Sequence, residues 1–186
     1  MSSATATSPT ASALPAGTWN VDRTHSSVGF AVKHMVVSTF RSHFDDFDAS
    51  LTVTEDGGAA LAGTVRAASI VVADHTLAAH LASPEFFDSE RHPEIVFRAT
   101  SIERDGDRLS VAGELTIKGI TRAVAAVGTV TDAVEDLYGG SRVGIELETI
   151  VDRREFGLEW NAPLPKGGFA VANDVVLRIN LELARA

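Results

Sequence analysis

Asp22, His25 and Ser26 are the residue types of a catalytic triad, in which a carboxylate orients a histidine that activates a serine. They occupy neighbouring positions, whereas triads are normally assembled from separated parts of a chain. Neither Ser26 nor Ser27 stands in the Gly-x-Ser-x-Gly turn that exposes a hydrolase nucleophile. We therefore interpret the cluster as an ordinary turn and predict no catalytic residues.

The histidines are the other candidates for chemistry, because imidazole is a common metal ligand. They are His25, His34, His43, His75, His80 and His92. No pair has the i, i+4 helical spacing or the Cys/His spacing of recognised metal sites, and the chain has no cysteine. The sequence therefore predicts no metal, no cofactor and no disulfide.

Two residues have the chemistry to contact the polar head of an otherwise apolar ligand. His34 shares strand parity with Val28 and Phe30, so an inward imidazole could hydrogen-bond such a head. The alternative is a histidine at the edge of the core, satisfied by backbone. Arg153, next to Arg154, could meet an anionic head group, or it could lie in a solvated turn with an internal salt bridge.

Strands carry these residues, because the dominant hydrophobic period from Thr18 onward is two. Apolar residues alternate with other residues over residues 109–117, 143–148 and 175–183. This alternation is typical of strands with one buried face. Shorter runs, separated by turn signals such as Asp105-Gly106-Asp107, bring the total to about eight strands. The pattern predicts an all-β fold, an antiparallel barrel or sandwich.

Residues 74–83 are the main interruption of the strand pattern. Leu77 and Leu81 lie at helical spacing there, and Phe86-Phe87 follow. We predict a short helix that acts as a lid at one barrel mouth, and a second short irregular piece over residues 153–160. The two phenylalanines either plug the barrel or line its opening. The interior of an eight-stranded barrel is either filled by side chains or holds one small ligand. The hydrophobic periodicity does not distinguish a filled interior from one with a cavity.

The charge balance limits the partners. The chain has 16 Lys and Arg against 25 Asp and Glu, a net charge of −9. A broadly acidic surface repels phosphate backbones and anionic lipid head groups. No stretch approaches the roughly 18 consecutive apolar residues of a spanning helix. We expect no nucleic-acid partner and no integral membrane segment.

The first residues have a different composition from the rest. Residues 1–16 are almost entirely Ser, Thr, Ala and Pro, without the basic start and continuous apolar stretch of a secretory signal. We predict a disordered tail over residues 1–16, a single domain over residues 17–186 and a cytoplasmic location, with an exported form as the alternative.

Four ordered motifs make the sequence resemble the YceI-like family of polyisoprenoid-binding proteins, over residues 17–185. The motifs are residues 19–22 with 25–26, 28–34 and the downstream Phe44, residues 80–88 with 93–97, residues 115–121, and residues 152–157 with 160–161. The second includes Phe86-Phe87-Asp88, and the third includes Lys118-Gly119. Their order and separations make the resemblance specific.

The resemblance implies an extended, lipocalin-like antiparallel barrel of eight strands with one or two short helices. It also implies an apolar tunnel that holds an isoprenoid or other long-chain lipid, and a possible homodimer. Parity and motif position predict the ligand-binding residues Phe30, Val32, His34, Leu81, Phe86, Phe87, Phe97, Leu115, Ile117, Arg153, Trp160, Leu177 and Ile179.

Three functions fit these observations. The first is a non-enzymatic protein that carries, stores or sequesters such a lipid, driven by burial of apolar surface. The second is an enzyme acting on the lipid, with His34 or His25 as acid or base. The third is a stress-response module whose barrel is filled by its own side chains. We expect the first.

Overall fold

Strands dominate the computed structural model, which describes residues 14–186. The strands are β1 (Gly17–Val21), β2 (Ser27–His34), β3 (Ser38–Phe44), β4 (Phe47–Val53), β5 (Ala59–Arg66), β6 (Glu94–Asp105), β7 (Arg108–Ile117), β8 (Ile120–Val130), β9 (Val134–Glu135), β10 (Ser141–Asp152) and β11 (Val171–Arg185). The helical elements are α1 (His75–Ala82) and the 3₁₀ helices Arg23–His25, Ala67–Ser69 and Arg153–Phe156. The predicted all-β class is confirmed.

Eight strands close into an antiparallel ring, in the order β11, β1, β4, β5, β6, β7, β8, β10 and back to β11. Strand β11 pairs with β10 along nearly its whole length, from Asp174 opposite Asp152 to Ala184 opposite Arg142. Its other edge is shared, because residues 171–180 pair with β2 and residues 183–185 pair with β1. The predicted eight-stranded barrel is confirmed, and the β2–β3 hairpin extends it at one end.

The strands alternate between a buried and a more exposed face, as the sequence predicts. In β7, Leu109, Val111, Gly113, Leu115 and Ile117 are buried, and the residues that alternate with them are more exposed. Closure between β8 and β10 requires a glycine, since a Cβ at Gly128 would lie 1.8 Å from the carbonyl oxygen of Glu146. A larger residue would force these two backbones apart.

One half of the barrel interior is filled by side chains. Trp19 and Leu183 are 0% exposed at its centre. The other buried members of this filled core are Ala49, Leu51, Val53, Leu61, Leu109, Val111, Ala126, Val130, Val143, Ile145, Leu147 and Leu181. These residues pack one end of the barrel, where a smaller cavity of about 300 Å³ remains between Leu14, Leu51 and Val111.

The chain approaches the filled core through residues 14–16. Leu14 packs against that core, and the Trp19 indole N–H donates to the carbonyl of Pro15 at 3.2 Å. Arg185 donates to the carbonyl of Ala16 at 2.5 Å. The predicted disordered tail over residues 1–16 otherwise lies outside the described residues.

The predicted helix over residues 74–83 is present as α1. Asp74 caps its N-terminus by accepting a hydrogen bond from the Leu77 backbone N–H at 2.7 Å. The predicted irregular piece is the 3₁₀ helix Arg153–Phe156, capped by the Asp152 carboxylate on the Arg154 N–H at 2.9 Å. Within residues 14–186, no helix is long and apolar enough to cross a bilayer.

An ionic network lies at the filled end. The Asp22 carboxylate hydrogen-bonds to the His25 imidazole at 3.1 Å, accepts from Arg142 at 2.8 Å and accepts from the Thr24 backbone N–H at 3.0 Å. These bonds lower the pKa of Asp22 from 3.8 to about 2, and the hydrogen bond to His25 has the largest effect. The network joins the turn after β1 to the start of β10.

Leu183→Ala tests whether the filled core carries the stability of the barrel. We expect the free energy of unfolding to fall by about 2–5 kcal/mol, because the truncation leaves a cavity in a closely packed interior. Urea denaturation measures the change. The matched control is Leu137→Ala, since Leu137 is 97% exposed and should change stability by less than about 0.5 kcal/mol. Equal effects of the two substitutions would contradict the assignment of the core.

Asp22→Asn tests the ionic network through its pH dependence. The folded-state pKa of Asp22 is depressed, so its stabilisation is present above pH 3.8 and disappears as the pH falls towards about 2. We expect the variant to be less stable than the wild type at neutral pH, with the difference shrinking over that acid range. Urea denaturation from pH 7 to pH 2 measures it. Asp105→Asn, at the exposed end of β6, is the control and should change stability by less than about 0.5 kcal/mol at every pH.

Candidate functional site

A cavity of about 650 Å³ occupies the half of the barrel opposite the filled core. Its wall is almost wholly apolar. Leu61, Ala126 and Leu147 belong to the filled core and also line the cavity, so they separate the two halves of the interior. The barrel is therefore neither wholly filled nor wholly hollow.

The structure brings all of the predicted ligand-binding residues to the wall of this cavity. Strand positions contribute Phe30, Val32, His34, Phe97, Leu115, Ile117, Leu177 and Ile179. Leu81, Phe86, Phe87, Arg153 and Trp160 contribute from α1 and the segments outside the strands. The positions of these residues are therefore compatible with the predicted binding site, and ligand binding itself stays a prediction.

Helix α1 and the phenylalanines after it form a lid over one end of the cavity. His80 lies between Phe86 and Trp160, with ring centroids 5.0 and 4.7 Å away, both edge-on. Its Nε2 is 2.8 Å from a carboxylate oxygen of Glu85. Phe87 packs edge-on against Phe44 at 5.9 Å. The phenylalanines therefore line the cavity as part of the lid.

Lys118 ties the lid to the barrel. Its ammonium group donates to the carbonyl of Pro84 at 2.6 Å and to that of Gly157 at 3.1 Å. Lys118 has a φ of 52° and Gly119 a φ of 74° in the tight turn between β7 and β8. This turn aims one cation at two segments that are distant in sequence, and so connects the lid to the segment after Arg153–Phe156.

Arg153 and Arg154 have different environments. The Arg154 guanidinium is exposed and pairs with Asp152 at 2.6 Å, which is the salt-bridged turn that the sequence allowed. Arg153 is 5% exposed and lies on the cavity wall. Its guanidinium donates to the carbonyls of Leu158, Trp160, Ala172 and Val171, at 2.5, 2.9, 2.9 and 3.5 Å.

The electrostatics of Arg153 follow from these contacts. Desolvation by burial lowers the pKa of Arg153 from its usual value. Among residues 14–186 the guanidinium forms no direct ion pair, so its charge is compensated by the four carbonyl dipoles and, at longer range, by the Asp152 carboxylate. Arg153 is therefore the buried charge of the wall, whereas the charged lining residues Lys33 and Asp48 are exposed.

His34 lies where the cavity wall meets solvent. It is exposed at the end of β2, opposite Ser38 of β3 and Val171 of β11. Ser38 also lines the cavity. The imidazole is thus placed at the rim, where it can contact a polar head but not the buried part of a ligand.

Several lining residues were missed by the sequence analysis. Val175 has the parity of Leu177, and this signal was available. Val124 lies on β8, whose many alanines weaken the alternation. Leu158 follows a 3₁₀ helix and has no periodicity to reveal it.

The cluster that resembles a triad lies outside the cavity. Ser26 donates to the carbonyl of Glu182, whereas His25 contacts Asp22. Within residues 14–186, Asp22, His25 and Glu182 are the one group whose ligand atoms could surround a metal ion. Arg142 already donates to both carboxylates, at 2.8 and 3.2 Å, so a guanidinium occupies the place of a cation.

Comparison with known proteins agrees with this architecture. Residues 19–183 match the family model described as the YceI-like domain. The "Protein YceI" of Escherichia coli O157:H7 is 30% identical over 137 residues, which cover 73% of this chain and 72% of that protein.

Two solved structures share the fold at low sequence identity. BcnA of Burkholderia cenocepacia superposes with a TM-score of 0.74 at 22% identity, covering 87% of this chain and 98% of the other. A polyisoprenoid binding domain from Saccharophagus degradans superposes with a TM-score of 0.68 at 12% identity, covering 90% and 98%. The extent of the family match and the identity to the Escherichia coli protein lead to one assignment: the chain belongs to the YceI-like domain family.

Proposed function

We propose that the protein binds a long-chain isoprenoid or a related amphipathic lipid in the cavity, for carriage, storage or sequestration. The observation that carries the proposal is an apolar cavity of about 650 Å³ beside a filled core. This volume is within the range of small-molecule sites, roughly 300–1,000 Å³. The cavity suits the apolar part of one such molecule.

The driving force would be burial of hydrocarbon. Apolar surface transferred out of water contributes about 25 cal/mol per Å², offset by the cost of ordering a flexible chain. The wall offers few hydrogen-bonding groups, so affinity would depend on chain length more than on polar recognition. An isoprenoid is favoured over other chains because a structural relative is described as a polyisoprenoid binding domain.

The polar head of the ligand would lie near Arg153 or at the rim beside His34. Arg153 carries an unpaired charge on the wall, and a polar or anionic head would gain a charge-assisted hydrogen bond there. His34 offers a weaker contact in solvent. With the head group at either place, the hydrocarbon chain of the lipid would lie in the apolar cavity.

Binding without chemical conversion is the form of the proposal that the site supports best. Of the two histidines considered as acid or base, His25 lies at the filled end and His34 lies at the solvated rim. The buried wall offers apolar side chains and the carbonyl-bonded Arg153. Ligand recovered by organic extraction after incubation should therefore be chemically unchanged by mass spectrometry.

Tryptophan fluorescence tests the proposal directly. The chain has two tryptophans, and Trp160 lines the cavity whereas Trp19 lies in the filled core. Titrating delipidated protein with polyprenols of increasing length should shift the emission to the blue, because the ligand desolvates Trp160. Trp160→Phe should remove the shift, while Trp19→Phe should keep it. A titration that leaves both the emission and the native mass unchanged at every chain length would refute the proposal.

Val124→Trp tests whether the cavity is the binding site. An indole at this position would occupy space needed by the ligand, and we expect affinity to fall by about tenfold or more. Val127→Trp is the matched control, because Val127 lies on the same strand and is 65% exposed. Native mass spectrometry of lipid adducts reports both variants without using the tryptophan signal. If both variants bind as the wild type does, the ligand lies elsewhere.

A further inference from the structure

Exposed apolar side chains cluster where the cavity meets solvent. In the turn between β2 and β3, Met35, Val36 and Val37 are 41%, 78% and 81% exposed. The backbone N–H of Met35 donates to the carbonyl of Ala170 at 2.8 Å, which places Phe169, 61% exposed, beside this turn. We name Met35, Val36, Val37 and Phe169 the apolar tip.

The backbone of the apolar tip is strained. Met35 and Val36 have φ values of 48° and 64°. Hairpin turns with two consecutive positive φ values favour Asn and Gly, because a β-branched side chain is strongly disfavoured there. The turn between β7 and β8 has Gly119 at the second such position. The chain thus keeps an exposed valine where a small polar residue or glycine would be easier to accommodate.

The charges around the apolar tip differ from those of the whole chain. Residues 31–43 and 160–173 contain Lys33, Arg41 and Lys166 and no Asp or Glu, in a protein of net charge −9. Within residues 14–186 none of these three cations forms an ion pair with a side chain. The acidic surface expected from composition is therefore interrupted by these three cations, and the first acidic residue beyond the two segments on β11, Asp174, interacts with Arg154.

We propose that the apolar tip docks on the surface of an anionic lipid bilayer. The four apolar side chains would enter the boundary between head groups and acyl chains, and the three cations would lie near the anionic head groups. His34, Ser38 and Val171 line the cavity and directly adjoin the tip. Docking would therefore bring the cavity rim to the membrane.

This inference rests on the proposed function and deepens it, because it identifies the surface with which the ligand is exchanged. An amphipathic lipid leaves a bilayer slowly through water, since its apolar chain must be hydrated. Holding the cavity rim at the bilayer would shorten the time for which the apolar chain of the lipid is exposed to water. The bilayer is favoured over a second copy of the chain because unpaired cations frame the apolar groups, whereas two copies would bring like charges together.

Vesicle sedimentation with matched variants tests the docking. Full-length protein is mixed with vesicles of phosphatidylcholine alone, or with one quarter phosphatidylglycerol. The tip variant is Val36→Asp with Val37→Asp. The control variant is Leu137→Asp with Tyr138→Asp, which adds the same charge to apolar residues that are 97% and 94% exposed in the loop before β10, at the opposite end of β11.

Wild type and control variant should sediment with the anionic vesicles, less so at high salt, and the tip variant should bind at least about tenfold more weakly. All three should keep the same polyprenol affinity in vesicle-free solution by Trp160 fluorescence. Equal losses in the tip and control variants, or no vesicle binding by wild type, would overturn the docking. So would a wild-type dimer in sedimentation velocity that the tip variant dissociates, with no vesicle binding. If polyprenols cause no change in fluorescence but vesicle binding still depends on the tip, the proposal of a lipid-binding cavity is rejected and the docking proposal stands.

Discussion

Hydrogen bonding along β11 is the constraint on which the barrel depends. Every backbone N–H and C=O of a sheet needs a partner, and only closure removes both unpaired edges. Strand β11 supplies that closure by pairing with β10 on one edge and with β2 and then β1 on the other. The partner of β11 changes between Asn180 and Leu183. Strand β11 therefore contributes to both ends of the barrel, and the two ends are built from different neighbouring strands.

The change of partner explains why the interior has two halves. Where β11 pairs with β1, the ring is complete and Trp19 fills it. Where β11 pairs with β2, the ring continues only to β3, whose outer edge has no strand partner within residues 14–186. That edge meets the segment before α1 through the bridge between Phe44 and Ile70 and through the Val71 N–H, which donates to the carbonyl of His43. The segment before α1 thus lies along an edge that no strand of residues 14–186 pairs with.

The sequence predicted the fold and the lining well because both depend on local pattern. Period-two alternation assigns a strand residue to the inside regardless of its partner, and Leu115 and Leu177 were found in this way. The same parity also selects Leu183, which is 0% exposed in the filled core. Whether an inward residue meets a neighbour or a void depends on the partner strands, and no pattern within one strand records that.

Contacts between distant segments were beyond sequence reasoning for the same reason. Lys118 reaches carbonyls on two loops, and Arg153 differs from Arg154 because of where carbonyls of residues 158–172 happen to lie. The basic region around the apolar tip could not be predicted from the net charge, because a net charge describes the whole surface and not one turn.

The division of the interior also bears on how such a protein can diverge. Substitutions in a tightly packed core cost stability, whereas residues facing a void have fewer neighbours to lose. Positions such as Val124 and Leu177 can therefore vary in size while Trp19 and Leu183 preserve the fold. Selection acting on the shape of the cavity is thereby largely uncoupled from selection on folding, and the cavity of one framework can change shape by small steps.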